Sequence, residues 1–441
     1  MTVLRLLEVL VVLFLMVSFL MICKYIVNIF RTQLYIKNAK REKVYEITRK
    51  VSVAIIIPVL REQNVICDTI DYFAKLTSKN LSIQLVIAGT KREYESLEHY
   101  GFSVSTKKTI EDYIRGKEYK EDFKLHVFEA DDMENGDRAS QLNFAVKNLL
   151  SIDPNIDIIG VYDADSRPTI ETILEVAERF LINGTCSYQQ PAFFMQAANQ
   201  MTKNHENPIL IANALYQNTW SIVSEIPMWI SYGKNKGVGN NYFYCIGHGE
   251  FFPTEVYKSY NFPEREVTDG IQIGYRLSMS GKCVDILDNY CSDDVPHNIK
   301  TLILQHKRWF GGCMRLKEAY KWCRESVPDN ELKILPVIGG YWGQFRWAYT
   351  VPLFVINSFI SVFLWIMYGY SIFFILMAIL LFIYSYVLPA IAIAITPIES
   401  KTSIVSFLCI PIAIAIKCVG PNLYFFNTII GKKNTYGKVE R

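Results

Sequence analysis

Ile156-Asp-Ile-Ile-Gly-Val-Tyr-Asp-Ala-Asp165 is the stretch that decides the fold class of this chain. Its apolar run predicts a strand that is buried on both faces, as strands of parallel sheets are. The strand leads directly into Asp163 and Asp165, whose carboxylates can both turn toward a crevice as the chain leaves the sheet. Ligands of open α/β sheets bind beyond the carboxyl ends of the strands. Two hard oxygen ligands at this place suit Mg²⁺ or Mn²⁺ carrying a diphosphate, although an isolated Asp-x-Asp is more often a solvated turn.

The residues on either side of this stretch alternate between strand and helix patterns. Val51–Pro58 is a continuous run rich in β-branched residues, which predicts a second buried strand. Further strands are predicted at Ile83–Ala88 and Lys124–Glu129, and helices at Asp68–Leu76, at Asn135–Leu150 and from Pro168 through Phe180, with Pro168 in the first turn. This order predicts an α/β domain with a mostly parallel sheet and helices on both faces.

Apolar residues make up 51% of the chain and are concentrated toward its two ends. No charged side chain occurs from Trp347 to Ile398, which is long enough for two membrane spans of ~20 residues with a turn at Met367–Tyr370. Near the start, Val9–Cys23 predicts a retained anchor rather than a cleaved signal peptide, because Arg5 and Glu8 precede it and no clear cleavage site follows.

A fourth apolar block, Thr402–Ile430, contains Lys417 and the Gly420-Pro421 pair. We expect this lysine and this pair to break the block. A full span would also put the basic tail outside the cell, against the preference of Lys and Arg for the cytoplasm. We therefore favour a re-entrant or interfacial segment over a full span.

The charges beside the apolar segments predict how the chain lies in the plasma membrane. A basic stretch follows the first segment and, by the positive-inside rule, places the central region in the cytoplasm. Its basic residues are Arg31, Lys37, Lys40, Arg41, Lys43, Arg49 and Lys50, and those of the tail are Lys432, Lys433, Lys438 and Arg441. The predicted division is an N-terminal transmembrane anchor at residues 1–30, a cytoplasmic catalytic domain at 31–330, an interfacial helix with two to three membrane segments at 331–431, and a basic tail at 432–441.

Composition says little about partners but excludes one class. The formal net charge is +3, and the sequence has no basic stripe of the kind that binds nucleic acid. The basic patches lie beside membrane segments, where anionic lipid headgroups are the expected partners. The ten cysteines are scattered, with no Cys-x-x-Cys pair and no His/Cys cluster at metal-ligand spacing, so we expect free thiols in a reducing compartment.

A third carboxylate, Asp269, lies in the segment Val267-Thr-Asp-Gly270, just before the amphipathic helix predicted at Ile271–Leu277. An Asp at this place is either the N-cap of the helix or a general base, and the cap is the more common role.

The segment Gln305-His-Lys-Arg-Trp-Phe-Gly-Gly312 precedes the predicted membrane hairpin. Arg308 supplies a forked donor that suits a leaving diphosphate, and Trp309 supplies a flat face that can stack on a sugar ring. The alternative is an interfacial Trp beside an Arg that snorkels to the membrane surface.

In their order and spacing, these segments resemble the membrane-bound family 2 glycosyltransferases, a group that includes cellulose, chitin-oligosaccharide and hyaluronan synthases and ceramide glucosyltransferases. The resemblance covers about residues 50 to 320, and its most specific part is Gln305-x-x-Arg308-Trp309. Asn135–Asn143 looks like the family's Gly-Lys-x-x-Ala-Leu-Asn segment, with Arg138 where Lys is common. Cys245–Glu250 resembles its Gly-x-Gly loop on the acceptor side. One anchor before the domain and a few segments after it look closest to chitin-oligosaccharide synthases.

The chain departs from the family pattern at two further places. Ala88-Gly89-Thr90 follows the second strand where many relatives have an Asp that contacts the nucleotide base, and Glu62 is expected to share that role. Val267-Thr-Asp269 replaces the Thr-Glu-Asp motif and keeps only the Asp that the family uses as base.

The resemblance implies the nucleotide-diphospho-sugar transferase (GT-A) fold, with transmembrane helices at both ends, and a single displacement that inverts the anomeric centre. Asp269 would be the general base, and Asp163 and Asp165 would bind Mg²⁺ or Mn²⁺. The implied donor contacts are Glu62, Arg138, Asn143, Asp163, Asp165 and Arg308, and the implied acceptor contacts are Gln305, Trp309, His248 and Glu250. The last two are equally well read as satisfied polar groups of a loop.

The expected donor is a nucleotide-diphosphate sugar, a UDP-sugar being favoured, and the expected acceptor is a growing surface or capsular polysaccharide. An alternative is transfer of one sugar to a lipid such as a polyprenyl phosphate or a ceramide-like lipid. A third is a non-catalytic membrane scaffold or transporter subunit that kept the fold. Few segments follow the domain, so a complete channel for a polymer would need association of chains into a homo-oligomer.

Overall fold

The computed structural model describes residues 2–39, 43–98, 101–131, 137–234, 242–264, 268–328 and 332–432. Some residues of the predicted segments lie outside these ranges, namely Lys40, Arg41, Asn135, Gly136, Val267, Lys433, Lys438 and Arg441.

The strands and helices alternate through the first two thirds of the chain, and helices alone follow. The strands are β1 Val51–Pro58, β2 Leu81–Thr90, β3 Phe123–Ala130, β4 Ile158–Val161, β5 Ser187–Gln189, β6 Ala192–Phe193, β7 Glu250–Pro253, β8 Val284–Ile286 and β9 Cys291–Ser292. The helices are α1 Thr2–Ala39, α2 Ile66–Phe73, α3 Thr106–Ile114, α4 Arg138–Ile152, α5 Ile170–Ile182, α6 Met195–Lys203, α7 Pro208–Trp220, α8 Ile226–Lys234, α9 Thr254–Tyr260, α10 Asp269–Met279, α11 Ile299–Cys313, α12 Leu316–Ser326, α13 Leu335–Tyr368, α14 Ser371–Phe382, α15 Leu388–Ile395, α16 Ile404–Leu408 and α17 Ile410–Ile429. A 3₁₀ helix covers Lys91–Ser96, and π-helical turns at Ser221–Glu225 and Ile383–Val387 join α7 to α8 and α14 to α15.

Seven strands form the central sheet in the order β3-β2-β1-β4-β7-β5-β8. The pairs among β3, β2, β1 and β4 are parallel, and β7 runs antiparallel to both β4 and β5. Alternate residues of β1 enter opposite cores: Ile55 packs with α2 and α5, and Ile56 packs with α4. Both faces of the sheet are therefore buried, which confirms the predicted α/β class with a mostly parallel sheet.

Helix α5 differs from its prediction at its start. Thr169 is the N-cap and has extended backbone (φ −77°, ψ 162°), and the helix begins at Ile170. Pro168 therefore lies before the cap, where its carbonyl oxygen accepts a hydrogen bond from the Tyr72 hydroxyl at 2.8 Å. The expectation that Pro168 occupies the first helical turn was wrong.

Four helices are long and apolar enough to cross a membrane: Val3–Ala39, Leu335–Tyr368, Ser371–Ile395 and Ile410–Ile429. The second and third form the predicted hairpin, and Gly369 ends the first of these two with a left-handed backbone conformation (φ 75°). The fourth is continuous through Gly420 and Pro421, so the predicted break is absent.

Gly420 has a packing role that the sequence did not suggest. A Cβ atom at this position would lie 2.5 Å from the backbone nitrogen of Lys307 and 2.8 Å from the carbonyl oxygen of Ile303. The backbones of α17 and α11 thus cross in direct contact, which only a residue without a side chain permits. The glycine brings α17 against α11 and does not interrupt it.

The N-terminal helix is bonded to the domain that follows it. The side-chain amide of Asn28 donates to the Val223 carbonyl at 2.7 Å, and the Thr32 hydroxyl donates to the Ile222 carbonyl at 2.8 Å. Both acceptors lie in the π-helical turn Ser221–Glu225. These bonds fix α1 beside the cleft described below.

One cysteine expectation was wrong. Cys186 and Cys283 form a disulfide, with their Cα atoms 4.6 Å apart. The two residues immediately precede the adjacent parallel strands β5 and β8, so they lie side by side although 97 residues separate them in sequence. The other eight cysteines, all among the described residues, are free thiols.

Candidate active site

Strand β4 delivers the Asp-x-Asp pair to the carboxyl edge of the sheet. Tyr162 is fully buried and its hydroxyl donates to Gln190 Oε1 at 2.6 Å, so the chain is held in the core up to this residue. Asp163 then emerges with its side chain 33% exposed, and Asp165 is exposed. Both side chains line a cavity at this edge of the sheet.

Arg138 joins two of the three predicted carboxylates. It is the first residue of α4, whose N-cap Asp137 accepts a hydrogen bond from the Ser140 amide at 2.8 Å. Its guanidinium forms one ion pair with Asp163 at 3.2 Å and a second, shorter one with Asp269. Three elements that are distant in sequence therefore converge on a single cation.

Asp269 is the first residue of α10 and is only 7% exposed. Thr268, in extended conformation, occupies the N-cap position. Of the two roles that the sequence left open, the N-cap is thus excluded by geometry. The carboxylate faces the cavity and Arg138 instead.

The Gly-His-Gly-Glu segment lies directly beneath the start of α10. A Cβ atom on Gly270 would lie 2.6 Å from the Cα atom of Gly247, so the helix rests on this loop by backbone contact. Glu250 is fully buried, and its Oε1 accepts a hydrogen bond from the Gly247 amide at 2.5 Å. Its Oε2 has no hydrogen-bond partner within the described part of the chain. Burial, together with the charge of Asp269, raises the pKa of Glu250 to about 8.

His248 is tied to a neighbouring acid. Its Nε2 lies 2.7 Å from Asp293 Oδ2, and its Nδ1 lies 3.9 Å from the Cys291 sulfur. Burial acts to lower the pKa of His248, but the charge of Asp293 and its hydrogen bond outweigh burial and hold that pKa well above its ordinary value. Ligand atoms of these three residues lie within 4.8 Å of one another.

Helix α11 carries the Gln-x-x-Arg-Trp segment, and Gln305, Arg308 and Trp309 all line the cavity. His306, in the same segment, is buried between the rings of Trp309 and Trp347, whose centroids lie 5.5 and 5.9 Å from that of the imidazole. Burial lowers the pKa of His306 well below its ordinary value, so the ring is neutral.

The loop after β1 forms the outer end of the cavity, where Glu62 is one of the lining residues. The backbone amide of Glu62 donates to the Thr106 hydroxyl at 3.0 Å. Glu93, which the sequence did not single out, is buried and accepts bonds from the Arg61 amide at 3.2 Å and the Gln63 side chain at 2.7 Å. This buried carboxylate fixes the loop that presents Glu62.

Asn143 was expected to contact the donor, but its side chain hydrogen-bonds to a neighbouring segment of the chain. Its amide nitrogen donates to the Phe262 carbonyl at 2.8 Å and to Glu264 at 2.9 Å, and its oxygen accepts from Tyr257 and the Phe262 amide. The side chain is fully engaged with the segment that leads toward Asp269. The structure therefore does not bring Asn143 to the donor, and we correct that expectation to a positioning role.

The cavity has a volume of about 1730 Å³. It runs from the loop after β1, past Asp163 and Asp269, to side chains of α1, α13, α14 and α17. Pockets for drug-sized ligands are usually about 300–1,000 Å³. The cavity is larger than such a pocket, and it joins the sheet edge to the apolar helices.

Residues 158–395, more than half of the chain, match the family model described as Glycosyl transferase family group 2. The chain belongs to this family. A search of curated protein sequences found no match.

Among solved structures, this family 2 glycosyltransferase is similar to the mannosyltransferase PcManGT from Pyrobaculum calidifontis, solved with GDP-Man and Mn²⁺. The two are 13% identical with a TM-score of 0.50, over 96% of this chain and 99% of that one. TarS residues 1–349 from S. aureus is 11% identical with a TM-score of 0.37, over 87% and 92%. The likeness to PcManGT, a mannosyltransferase solved with a nucleotide sugar, shows the GT-A fold.

In this family 2 glycosyltransferase, one further buried acid lines the cavity without having been predicted. Glu225 accepts hydrogen bonds from the Tyr244 hydroxyl at 2.8 Å and the Ser221 hydroxyl at 3.2 Å. Burial raises the pKa of Glu225. The sequence contains a feature that points to this residue, because Glu225 is the one charged residue in the apolar run from Pro208 to Gly233. An isolated charge in such a run is costly to bury without a partner, and therefore suggests a polar surface nearby.

Proposed function

We propose that this chain is an inverting glycosyltransferase that moves a sugar from a nucleotide-diphosphate donor to an acceptor hydroxyl at the membrane, with Asp269 as general base. The observation that carries the proposal is the convergence of Asp163 and Asp269 on one guanidinium at the carboxyl edge of the sheet. A buried carboxylate that faces a large cavity and is not used as a helix cap is placed to accept a proton.

The transfer is a single displacement. The acceptor oxygen forms a bond to the anomeric carbon while its proton passes to Asp269. The bond from that carbon to the diphosphate oxygen breaks, and the electron pair leaves with the nucleotide diphosphate. Arg308 and Arg138 line the same cavity and would neutralise the charge that develops on the leaving group. Because one base suffices and no covalent intermediate is needed, the configuration inverts.

Asp163 and Asp165 fit a divalent ion, Mg²⁺ or Mn²⁺. They offer hard carboxylate oxygens on the cavity wall, and Arg138 already pairs with Asp163, so this position attracts positive charge. A bound ion would supply neutralisation of the diphosphate. The Mn²⁺ in the PcManGT structure supports this reading. Glu62, at the outer end of the cavity, is placed to contact the nucleoside, a uridine being our first expectation.

The proposal keeps the catalytic domain in the cytoplasm and the four apolar helices in or along the plasma membrane. Helix α17 lies on α11 at Gly420, and Asn422 donates to the Ala348 carbonyl of α13 at 3.0 Å. The crossing with α11, a helix of the catalytic domain, favours an interfacial position for α17, with the basic tail in the cytoplasm. Labelling of a cysteine placed in the tail, before and after permeabilising cells, tests this; labelling in intact cells would contradict it.

Extension of a polysaccharide and transfer of one sugar remain the two forms of this activity. Trp220, Trp309, Trp342 and Trp347 line the cavity, and aromatic faces of this kind bind sugar rings, which favours a saccharide acceptor. A ladder of product lengths would support polymerisation, and a single glycolipid species would support one transfer.

The test is a screen of nucleotide-sugar donors that measures released nucleotide diphosphate, with Mg²⁺ and with Mn²⁺. Asp269→Asn is expected to lower turnover at least 10²-fold with donor binding retained. Asp122→Asn, a matched change at an exposed ion pair with Lys50, is expected to leave turnover unchanged. Full activity of Asp269→Asn would overturn the assignment. Absence of turnover with every donor would favour a scaffold that kept the fold.

A further inference from the structure

Three of the cations that line the cavity lie on α1 and α13. Lys24 and Arg31 lie two turns apart on α1, and Arg346 lies on α13; all three line the cavity. The guanidinium of Arg346 donates to the Tyr25 hydroxyl at 2.8 Å, which joins the two helices. Arg31 has one long contact, to the Ser231 hydroxyl at 3.5 Å.

These cations have no acidic partner in the described part of the chain: no carboxylate lies within 4.0 Å of Lys24, Arg31 or Arg346. Arg346 and Arg31 each act on Lys24 as like charges. Like charges gathered beside apolar helices repel one another and lose solvation, so the arrangement is favourable only when an anion is bound. The expected ligand group at this place is therefore an anion.

The walls on the far side of the cations are apolar. They are formed by Phe14, Val17 and Met21 of α1 and by Phe354 of α13, with Leu381 of α14. The rings of Phe14 and Phe354 lie 6.4 Å apart and bring α1 and α13 together. Val17 and Leu381 line the cavity and are still 45% and 40% exposed, so the space opens toward the membrane side of these helices. A hydrocarbon chain fits such a wall.

Another part of the cavity lining is polar and aromatic. Gln305, Trp309 and Trp342 are neutral, and they combine a hydrogen-bonding amide with broad aromatic faces. This lining suits a saccharide. The cavity thus offers an apolar wall, an unneutralised basic cluster, an aromatic section and the proposed base.

We propose that the acceptor saccharide is carried on a long-chain lipid phosphate, whose phosphate is bound by Lys24, Arg31 and Arg346. The hydrocarbon chain lies between α1, α13 and α14, and the sugar reaches Asp269 along Trp309. This rests on the proposed function and names its acceptor class. A neutral glycolipid would leave the three cations without a counterion, and a free phosphate would leave the apolar wall without a ligand.

The experiment measures lipid binding by the purified full chain in detergent, by native mass spectrometry, with a long-chain polyprenyl phosphate as probe. Polyprenol of the same length and phosphatidylglycerol are the comparison lipids. The phosphate form is expected to be retained in preference to both. Equal retention of polyprenol would contradict a phosphate site. Equal retention of phosphatidylglycerol would show an ordinary headgroup contact and contradict the carrier role.

The variants Lys24→Gln, Arg31→Gln and Arg346→Gln, combined in one chain, are expected to weaken retention of the polyprenyl phosphate on the order of a hundredfold. Lys37→Gln and Arg5→Gln are matched controls on α1, since neither residue lines the cavity, and are expected to bind as the unchanged chain does. Unaltered binding by the triple variant would overturn the proposal. Inorganic phosphate at the concentration of the lipid is expected to displace nothing, and displacement would overturn the lipid assignment.

Failure of this inference and failure of the proposed function give different results. The triple variant is expected to lose the polyprenyl phosphate while it still binds the nucleotide-sugar donor, whose proposed contacts are other residues of the cavity. Asp269→Asn is expected to lose turnover and still bind the polyprenyl phosphate. A chain that binds the lipid but turns over no donor would leave the lipid site standing and refute the enzyme. A chain that transfers sugar equally well to a soluble saccharide, with no gain from the lipid, would refute the carrier.

Discussion

The two ends of the cavity are built in different ways. At the donor end, Asp163 and Asp165 follow a single strand, and the sheet alone fixes their place. At the membrane end, each wall comes from a different part of the chain: α1 from the beginning, α11 from the middle, and α13 and α17 from the end. The placement of the Asp163–Asp165 pair is thus a local property of the sequence, and the membrane end is a property of helix packing.

This difference explains how separate changes should act. Substitutions or metal removal at the donor end take charge away from the rigid carboxyl edge of the sheet, and are expected to stop turnover without unfolding the chain. Damage at the membrane end shifts helices against one another and is expected to weaken acceptor use before donor use. The changes below probe these two outcomes.

Chelation of divalent ions is expected to have the largest effect and to act on the donor end alone. Removing the ion that Asp163 and Asp165 are proposed to hold would leave the diphosphate charge without its main counterion, and a loss on the order of 10³-fold in turnover is expected. Nucleotide release is measured before and after addition of a chelator, and again after Mg²⁺ or Mn²⁺ is restored. Turnover that persists after chelation would remove the metal from the account.

Substitution of Arg138 is expected to come next, because this side chain links the two carboxylates. Arg138→Met leaves Asp163 and Asp269 adjacent without their shared cation, and kcat/KM is expected to fall about 10²-fold or more. Arg138→Lys, which keeps the charge but loses the fork, is expected to recover part of this activity. Comparable activity of the Met variant would show that the convergence on Arg138 is not needed for transfer.

Gly420→Ala tests the membrane end. The added Cβ would lie 2.5 Å from the Lys307 nitrogen, so α17 or α11 must shift, at a cost of about 1–3 kcal/mol of stability. Because α11 carries Trp309, acceptor transfer is expected to fall more than donor hydrolysis. Gly343→Ala is the control, since an added Cβ there meets nothing within 4 Å. Equal losses in transfer and hydrolysis would argue against separate ends.

Glu250→Gln is expected to have the smallest effect on turnover and a distinct effect on stability. The pKa of Glu250 rises from 4.5 to about 8 in the folded chain, so the folded state holds a proton that the unfolded state releases between these values. The contribution of protonated Glu250 to the free energy of unfolding is fully present below about pH 4.5. It decreases as the pH rises and is lost through about pH 8, with a slope of at most about 1.4 kcal/mol per pH unit. The glutamine variant should lack this slope, and thermal unfolding at pH 5 to 8.5 measures it. If the stability of the unchanged chain and that of the glutamine variant varied with pH in parallel, the claim that Glu250 is uncharged in the folded chain would be contradicted.

The sequence predicted those features that depend on neighbouring residues. Val51–Pro58 is a strand with the predicted bounds, because a β-branched run buried on both faces has few alternatives. The position of Asp163 at the end of its strand follows from the same argument. The family resemblance also pointed to a real membership, because Gln305, Arg308 and Trp309 keep their spacing on one helix.

The features that the sequence did not reveal depend on distant residues. Cys186 and Cys283 meet because two strands far apart in sequence are neighbours in the sheet. Asn143 follows the family pattern, yet its amide is taken up by a loop more than a hundred residues away. Considered within its own helix, Gly420 predicts a break. The structure shows instead that it permits a close crossing with α11, which the local sequence does not reveal.

The most direct test of the central claim is the configuration of the product. With a donor that supports transfer, the anomeric proton of the newly formed linkage is observed by NMR and compared with that of the donor sugar. A single displacement with Asp269 as base predicts a product of the opposite anomeric configuration. A product with the configuration of the donor would require two displacements or a front-side attack, and would contradict the account.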